Sequence, residues 1–140
     1  LKDEVRAVSI EWLAQLVVLV KERTKTLVDM VHWVKPYFGE AVAFEEEAAK
    51  KFLTRAHAPM LAKLTDRFEA FPTFGEQAWE EAFKKLVEEE GIKMGQLAQP
   101  VRVALTGRTA SPGLFEVMEV LGRERTLFRL RKGIEQASGS

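Results

Sequence analysis

The 140-residue chain predicts an all-α fold: a bundle, or cage, of about seven to eight helices in two small subdomains. Three observations predict it. Apolar residues recur at three- and four-residue spacing along nearly the whole chain, as one face of a helix requires. Capping residues, glycines and prolines punctuate that pattern at helix-length intervals. The composition, 46% hydrophobic and 30% charged, supplies enough apolar side chain to offset the entropy of ordering.

Val5, Val8, Trp12, Leu16 and Leu19 mark the first helical stripe. Leu27, Met30, Val31 and Val34 mark the second, with Thr26 as its N-cap, Asp29 three residues on, and Pro36 closing it. Glu45 to Leu53 reads as a short helix with Ala48, Ala49, Phe52 and Leu53 inward. Leu61, Leu64, Phe68 and Phe71 define the next, ended by Pro72. Thr73 and Glu76 form a capping-box pattern opening a helix that runs to Glu90 and stops at Gly91, burying Ala78, Trp79, Ala82, Phe83 and Leu86. Met94, Leu97, Val101, Ala104 and Leu105 continue the periodicity to Gly107. Pro100 lies within that stretch, so the helix either kinks or begins there. Ser111-Pro112-Gly113 predicts an N-cap and a proline at the first helical position, launching Leu114 to Leu121. Gly122 breaks that helix, and Arg123 to Ile134 is the last. The Pro-Tyr-Phe-Gly segment at 36–39 suggests a boundary, giving a first helical subdomain over 1–42 and a second over 43–140.

Composition narrows the function. Without cysteine there are no disulfides or thiolate metal sites, and a reducing cytoplasm is the expected compartment. The longest apolar run, Leu16 to Val20, is far too short to span a bilayer, so no membrane role is expected. The start lacks a signal-peptide pattern. A first residue other than Met and a Ser-Gly-Ser end lead us to expect a piece of a longer chain. Net charge is zero but unevenly spread: +1 over 1–39, −5 over 40–92 and +4 over 93–140. A basic final third is compatible with a local phosphate-binding surface, and equally with solvated helix faces.

The catalytic inventory is thin. His32 and His57 stand apart with no second ligand three or four residues further on, so both read as packing or surface residues and no metal site is expected. Glu45-Glu46-Glu47 and Glu88-Glu89-Glu90 cannot converge on one ion, because consecutive helical positions point in different directions. No phosphate loop, nucleophile elbow or His-Glu-x-x-His pattern occurs. Trp12, Trp33 and Trp79 fall on apolar stripes and read as core.

The informative stretch is Arg102-Val103-Ala104-Leu105-Thr106-Gly107, then Ser111-Pro112-Gly113-Leu114, then Leu121-Gly122-Arg123-Glu124-Arg125. A helix start flanked by arginines offers free N–H groups, stacking planes and apolar walls, which suit unstacked RNA bases and their phosphates. A plain helix–loop–helix with exposed arginines reads equally well on composition alone. The order of motifs, however, resembles the C-terminal region of bacterial glutamyl-tRNA synthetases, with their R-V-A-L-T-G, S/T-P-G-L/I and L-G-[KR]-E-R pattern. Glu22-Arg23-Thr24-Lys25-Thr26-Leu27, the aromatic stretch from Trp33 to Phe38, and Gly91-Ile92-Lys93-Met94-Gly95 match further family segments in order, so the resemblance spans essentially the whole chain.

The resemblance implies an all-α, anticodon-binding part that reads the anticodon loop of tRNA(Glu). It makes Arg102 a candidate for contacting an anticodon base, and Ser111, Pro112 and Leu114 the loop that packs on splayed bases. Ser111 stands where some members have Thr. Arg23 resembles the arginine with which discriminating enzymes check the last anticodon base, cytosine for glutamate and guanine for glutamine. An arginine carries only donors and suits the O2 and N3 acceptors of cytosine, which leans toward a discriminating enzyme and leaves dual specificity open. Arg108, Arg123 and Arg125 are candidate contacts to the tRNA backbone. The family's HIGH and KMSKS signatures have no match, so the chain itself is expected to be non-catalytic and to hold no cofactor. ATP and Mg would belong to the catalytic domain of a glutamate–tRNA ligase parent. DNA is not an expected partner, and a monomer is expected. The rival expectation is a helical protein-interaction module with no RNA role.

Overall fold

The computed structural model describes residues 8–39, 42–70 and 75–139, and these contain seven α-helices and no strand. They are α1 Ile10–Val20, α2 Leu27–Val34, α3 Glu46–Phe52, α4 Ala58–Ala70, α5 Glu76–Glu90, α6 Met94–Thr106 and α7 Leu114–Ser138. Short 3-10 turns, Lys21–Arg23 and Lys35–Tyr37, follow α1 and α2. The all-α expectation holds. Val101-Arg102-Val103 lies inside α6, where the surrounding period of 3.6 overrides a three-residue alternation.

Local chemistry fixes most boundaries. Ser9 Oγ accepts from the Trp12 N–H at 3.1 Å and caps α1. Thr26 Oγ1 accepts from the Asp29 N–H at 3.1 Å, while Asp29 Oδ2 accepts from the Lys25 N–H at 3.2 Å, so the predicted N-cap of α2 is present. Two expectations are corrected, for α5 and α7, and an open one is decided, for α6. Helix α5 is capped by Gly75, which makes Glu76 its first residue rather than the third position of a capping box; Thr73 lies outside the described residues. Helix α6 begins at Met94 and runs through Pro100, which therefore has no N–H to offer the Gln96 carbonyl one turn back. Helix α7 is capped by Gly113, not Ser111, and runs to Ser138 with a break at Gly122 (φ 80°, ψ 168°). That break divides α7 into the two helices the sequence predicts.

Helices α4 and α6 pack most extensively on α7 and enclose the main core: Leu61, Leu64 and Phe68 of α4, Leu97, Val101 and Leu105 of α6, Leu127 and Leu130 of α7. Each such side chain contributes about 1.5–3 kcal/mol through removal from water. Helix α5 lies antiparallel on α4, with Phe83 6.2 Å from Phe68 by ring centroids and 5.4 Å, edge on, from Phe115. Lys63–Glu90 and Arg67–Glu89 ion pairs line the exposed seam, each worth about 0–1 kcal/mol. Helices α6 and α7 approach so closely that a Cβ on Gly133 would lie 2.7 Å from Ala104 Cβ. Gly107 ends α6 at φ +77°, where its carbonyl accepts from the Glu45 N–H at 2.8 Å and a Cβ would lie 2.2 Å from the Ala43 carbonyl oxygen.

Helix α1 meets α7 and α2 packs on α1, and Leu16, Val20, Val34, Tyr37 and Phe38 of this smaller layer and the turn after it are buried in the same apolar cluster as the main core. Contacts therefore cross the boundary near residue 42 that the sequence suggests.

Candidate nucleic-acid interface

Helix α6 holds Arg102 at its solvent edge, one turn before the Gly107 stop. The Arg102 guanidinium donates through Nε to Ser111 Oγ at 2.8 Å and through Nη1 to Gln99 Oε1 at 2.9 Å. Ser111 Oγ in turn donates to the Pro112 carbonyl at 2.8 Å. The hydroxyl thus serves as acceptor and donor at once, which explains why it does not cap α7. A half-buried arginine held at two donors presents its plane in one orientation, so little further entropy is lost on contacting a planar base. Of the predicted loop residues, Pro112 is buried and lines a cleft, whereas Leu114 is buried in the core at 7% exposure.

That cleft, about 390 Å³, lies between α1 and the start of α7. Gln15, Val18 and Glu22 form one wall; Pro112, Gly113 and Glu116 form part of the other. The Glu116 carboxylate folds toward the α7 N-terminus, close enough that a Cβ on Gly113 would be 2.9 Å from Oε1, where the helix dipole favours negative charge. Glu119 adds a third carboxylate to the lining. An acidic cleft repels phosphate but accepts from the amino group of a base, as a carboxylate does with cytosine N4. Among the described residues, this cleft therefore offers no basic phosphate-binding surface of the kind that charge segregation allowed.

The remaining arginines do not share one face. Arg108 Nη1 donates to the His32 carbonyl at 2.6 Å, tying the loop after α6 to α2. Arg123 Nη2 reaches the Glu69 carbonyl of α4 at 3.2 Å. Arg125 reaches inward: Nη1 donates to the Tyr37 carbonyl at 2.6 Å and Nε to the Leu121 carbonyl at 3.1 Å, with the guanidinium 5.1 Å over the Trp12 ring. The Arg23 side chain lies outside the described residues; its backbone ends the 3-10 turn beyond the Glu22 wall.

Sequence reasoning missed Gln99, which holds Arg102, and Arg129. The Arg129 guanidinium is fully buried and donates to the carbonyls of Pro36 and Leu105, both at 2.6 Å, and of Gly39 at 2.9 Å. Burial first, then the charge of Arg125, lowers its pKa to about 10, with Tyr37 partly opposing. It stays protonated at neutral pH. The clue was its register: Thr126, Arg129, Leu130, Gly133 and Ala137 form one helical stripe, so a charge sits on the buried face. His57 Nδ1 accepts from the Thr54 N–H at 3.3 Å, which makes it a local brace before α4. Among the described residues, no group of three or more His, Cys, Asp or Glu is placed to hold a metal ion, and no helix is long and apolar enough to cross a membrane.

Comparison with known proteins agrees with the motif order. Residues 1–134 match the family model described as the anticodon binding domain. The glutamate–tRNA ligase of Geobacter sulfurreducens is 43% identical over 122 residues, covering 87% of this chain and 26% of that protein. That of Thermodesulfovibrio yellowstonii is 38% identical over 125 residues, covering 89% and 27%. The crystal structure of a glutamate tRNA ligase from Elizabethkingia meningosepticum superposes with a TM-score of 0.81 at 30% identity, over 93% of this chain and 26% of that one. The chain thus spans about a quarter of the length of these relatives. A match over nearly the whole chain, with the same helical fold, shows that it belongs to the anticodon binding domain family.

Proposed function

We propose that this chain reads the anticodon of tRNA(Glu) as the non-catalytic recognition part of a glutamate–tRNA ligase. The observation that carries the reading is the Arg102–Gln99–Ser111 network, a pre-oriented arginine joined through Ser111 to the Pro112 wall of a base-sized cleft. In this reading Arg102 contacts one anticodon base, Pro112 supplies an apolar wall, and Arg23 checks the last base. Ser111 orients Arg102, and Leu114 supports the loop from the core. Glutamate activation, with its ATP and magnesium, belongs to the three-quarters of the ligase outside this chain, working in the cytoplasm.

Binding of tRNA(Glu) at low salt tests the proposal. Arg102→Ala is expected to weaken binding by one base contact, about 1–3 kcal/mol. Replacing the last anticodon cytosine by guanine is expected to weaken it if the ligase is discriminating, and to leave it unchanged if both tRNAs are accepted. Equal affinity for wild type and Arg102→Ala would reject the assignment of Arg102.

A further inference from the structure

The cleft has two walls on different elements, and something must fix their separation. One wall is α1; the other is the first arm of α7, before the Gly122 break. In an unbroken helix the carbonyls of Val120 and Leu121 would be covered by N–H groups of the next turn, but a residue at φ 80° and ψ 168° turns them out of that ladder. Side chains meet them. The Trp12 indole N–H of α1 donates to the Val120 carbonyl at 2.7 Å, and the Arg125 Nε to the Leu121 carbonyl at 3.1 Å. Arg125 stacks on the Trp12 ring and reaches the Tyr37 carbonyl, while Trp12 packs edge on to Phe38 at 5.3 Å between centroids. One turn further, Arg129 grips Pro36 and Gly39 in the same segment.

We infer that Trp12 and Arg125, docked on the carbonyls freed at Gly122 and backed by Arg129, are positioning residues that set the spacing of the cleft walls and so its discrimination between bases. The inference rests on the proposed anticodon reading for its second half only. Trp12 lies one turn before Gln15, and Val120 itself lines the cleft, so the 2.7 Å bond ties the two walls at the floor between them. Hydrogen bonds of fixed direction suit this task better than apolar contact, which tolerates sliding.

The chain has no cysteine, so Gln15→Cys and Glu119→Cys place spin labels on opposite walls without competition. Wild type should give one narrow distance. Trp12→Phe keeps a six-membered aromatic ring at the site and removes the N–H with the five-membered ring that carries it; it should broaden and lengthen that distance. Arg131→Ala, on α7 like Arg125, removes only a surface pair with Glu69 of α4 and should leave the distance alone. In the intact ligase, Trp12→Phe should reduce the preference for the cognate last anticodon base roughly threefold to tenfold, the worth of one hydrogen bond. The loss caused by Arg102→Ala should be the same in either background. An unchanged distance in Trp12→Phe would overturn the inference, as would a lengthened distance with base preference intact. A lengthened distance in a protein whose wild type ignores the anticodon would instead reject the proposed function and leave the joint as the element that sets the cleft.

Discussion

Arg129 carries a charge into a site without solvent access, at a cost its carbonyl partners help to offset. Arg129→Met keeps much of the volume and strips donors from Pro36, Leu105 and Gly39; urea titration should show a loss on the order of 3 kcal/mol or more. His57 makes the opposite use of burial. Its pKa is lowered from 6.5 by desolvation, and Nδ1 can accept from Thr54 only while unprotonated. The unfolded chain therefore binds the proton more readily, so stability is lost as pH falls through 6.5 and below. Replacing His57 with Asn should flatten the pH dependence of the melting temperature between about pH 5 and 7. An unaltered slope would remove this residue from the acid response.

At the scale of the element, helix ends and crossings carry the testable content. Thr26→Ala removes the acceptor for the Asp29 N–H and should cost about 1 kcal/mol, read from denaturant midpoints. Gly133→Ala forces a methyl against Ala104 where α6 crosses α7, and should cost about 1–3 kcal/mol. The pair of measurements sets the worth of a cap on α2 beside that of the α6–α7 crossing. Helices were legible in the sequence because period and punctuation are local: Thr26, Gly91, Gly107 and Gly122 all act where they stand. The start of α7 was misread because Ser111 meets a partner nine residues away, on another helix, and no local rule contains that competition. The Arg102–Ser111–Pro112 grouping was legible through motif order. The dispersal of Arg108, Arg123 and Arg125 was not, since each is claimed by a carbonyl 54 to 88 residues distant. Charge counts along a chain do not reveal which cations are already engaged.

For the whole molecule, neutrality and that engagement together predict weak, shallow electrostatics. RNA binding through a few base contacts should show a slope of about −1 in log K against log salt, where a basic face neutralising several phosphates would be far steeper. Salt titration of tRNA binding checks this, and a slope of several units would mean that arginines leave their carbonyls on binding.

The broken helix also has a consequence for synthesis. Trp12, Pro36 and Tyr37 emerge from the ribosome some 90 to 110 positions ahead of their partners Val120, Arg125 and Arg129. Helices as short as α1 and α2 are marginal alone in water. The nascent chain must therefore carry this layer uncommitted until α7 arrives. Arrested translation products ending before residue 120 should be cut by protease within α1 and α2, and products extended past 130 should resist.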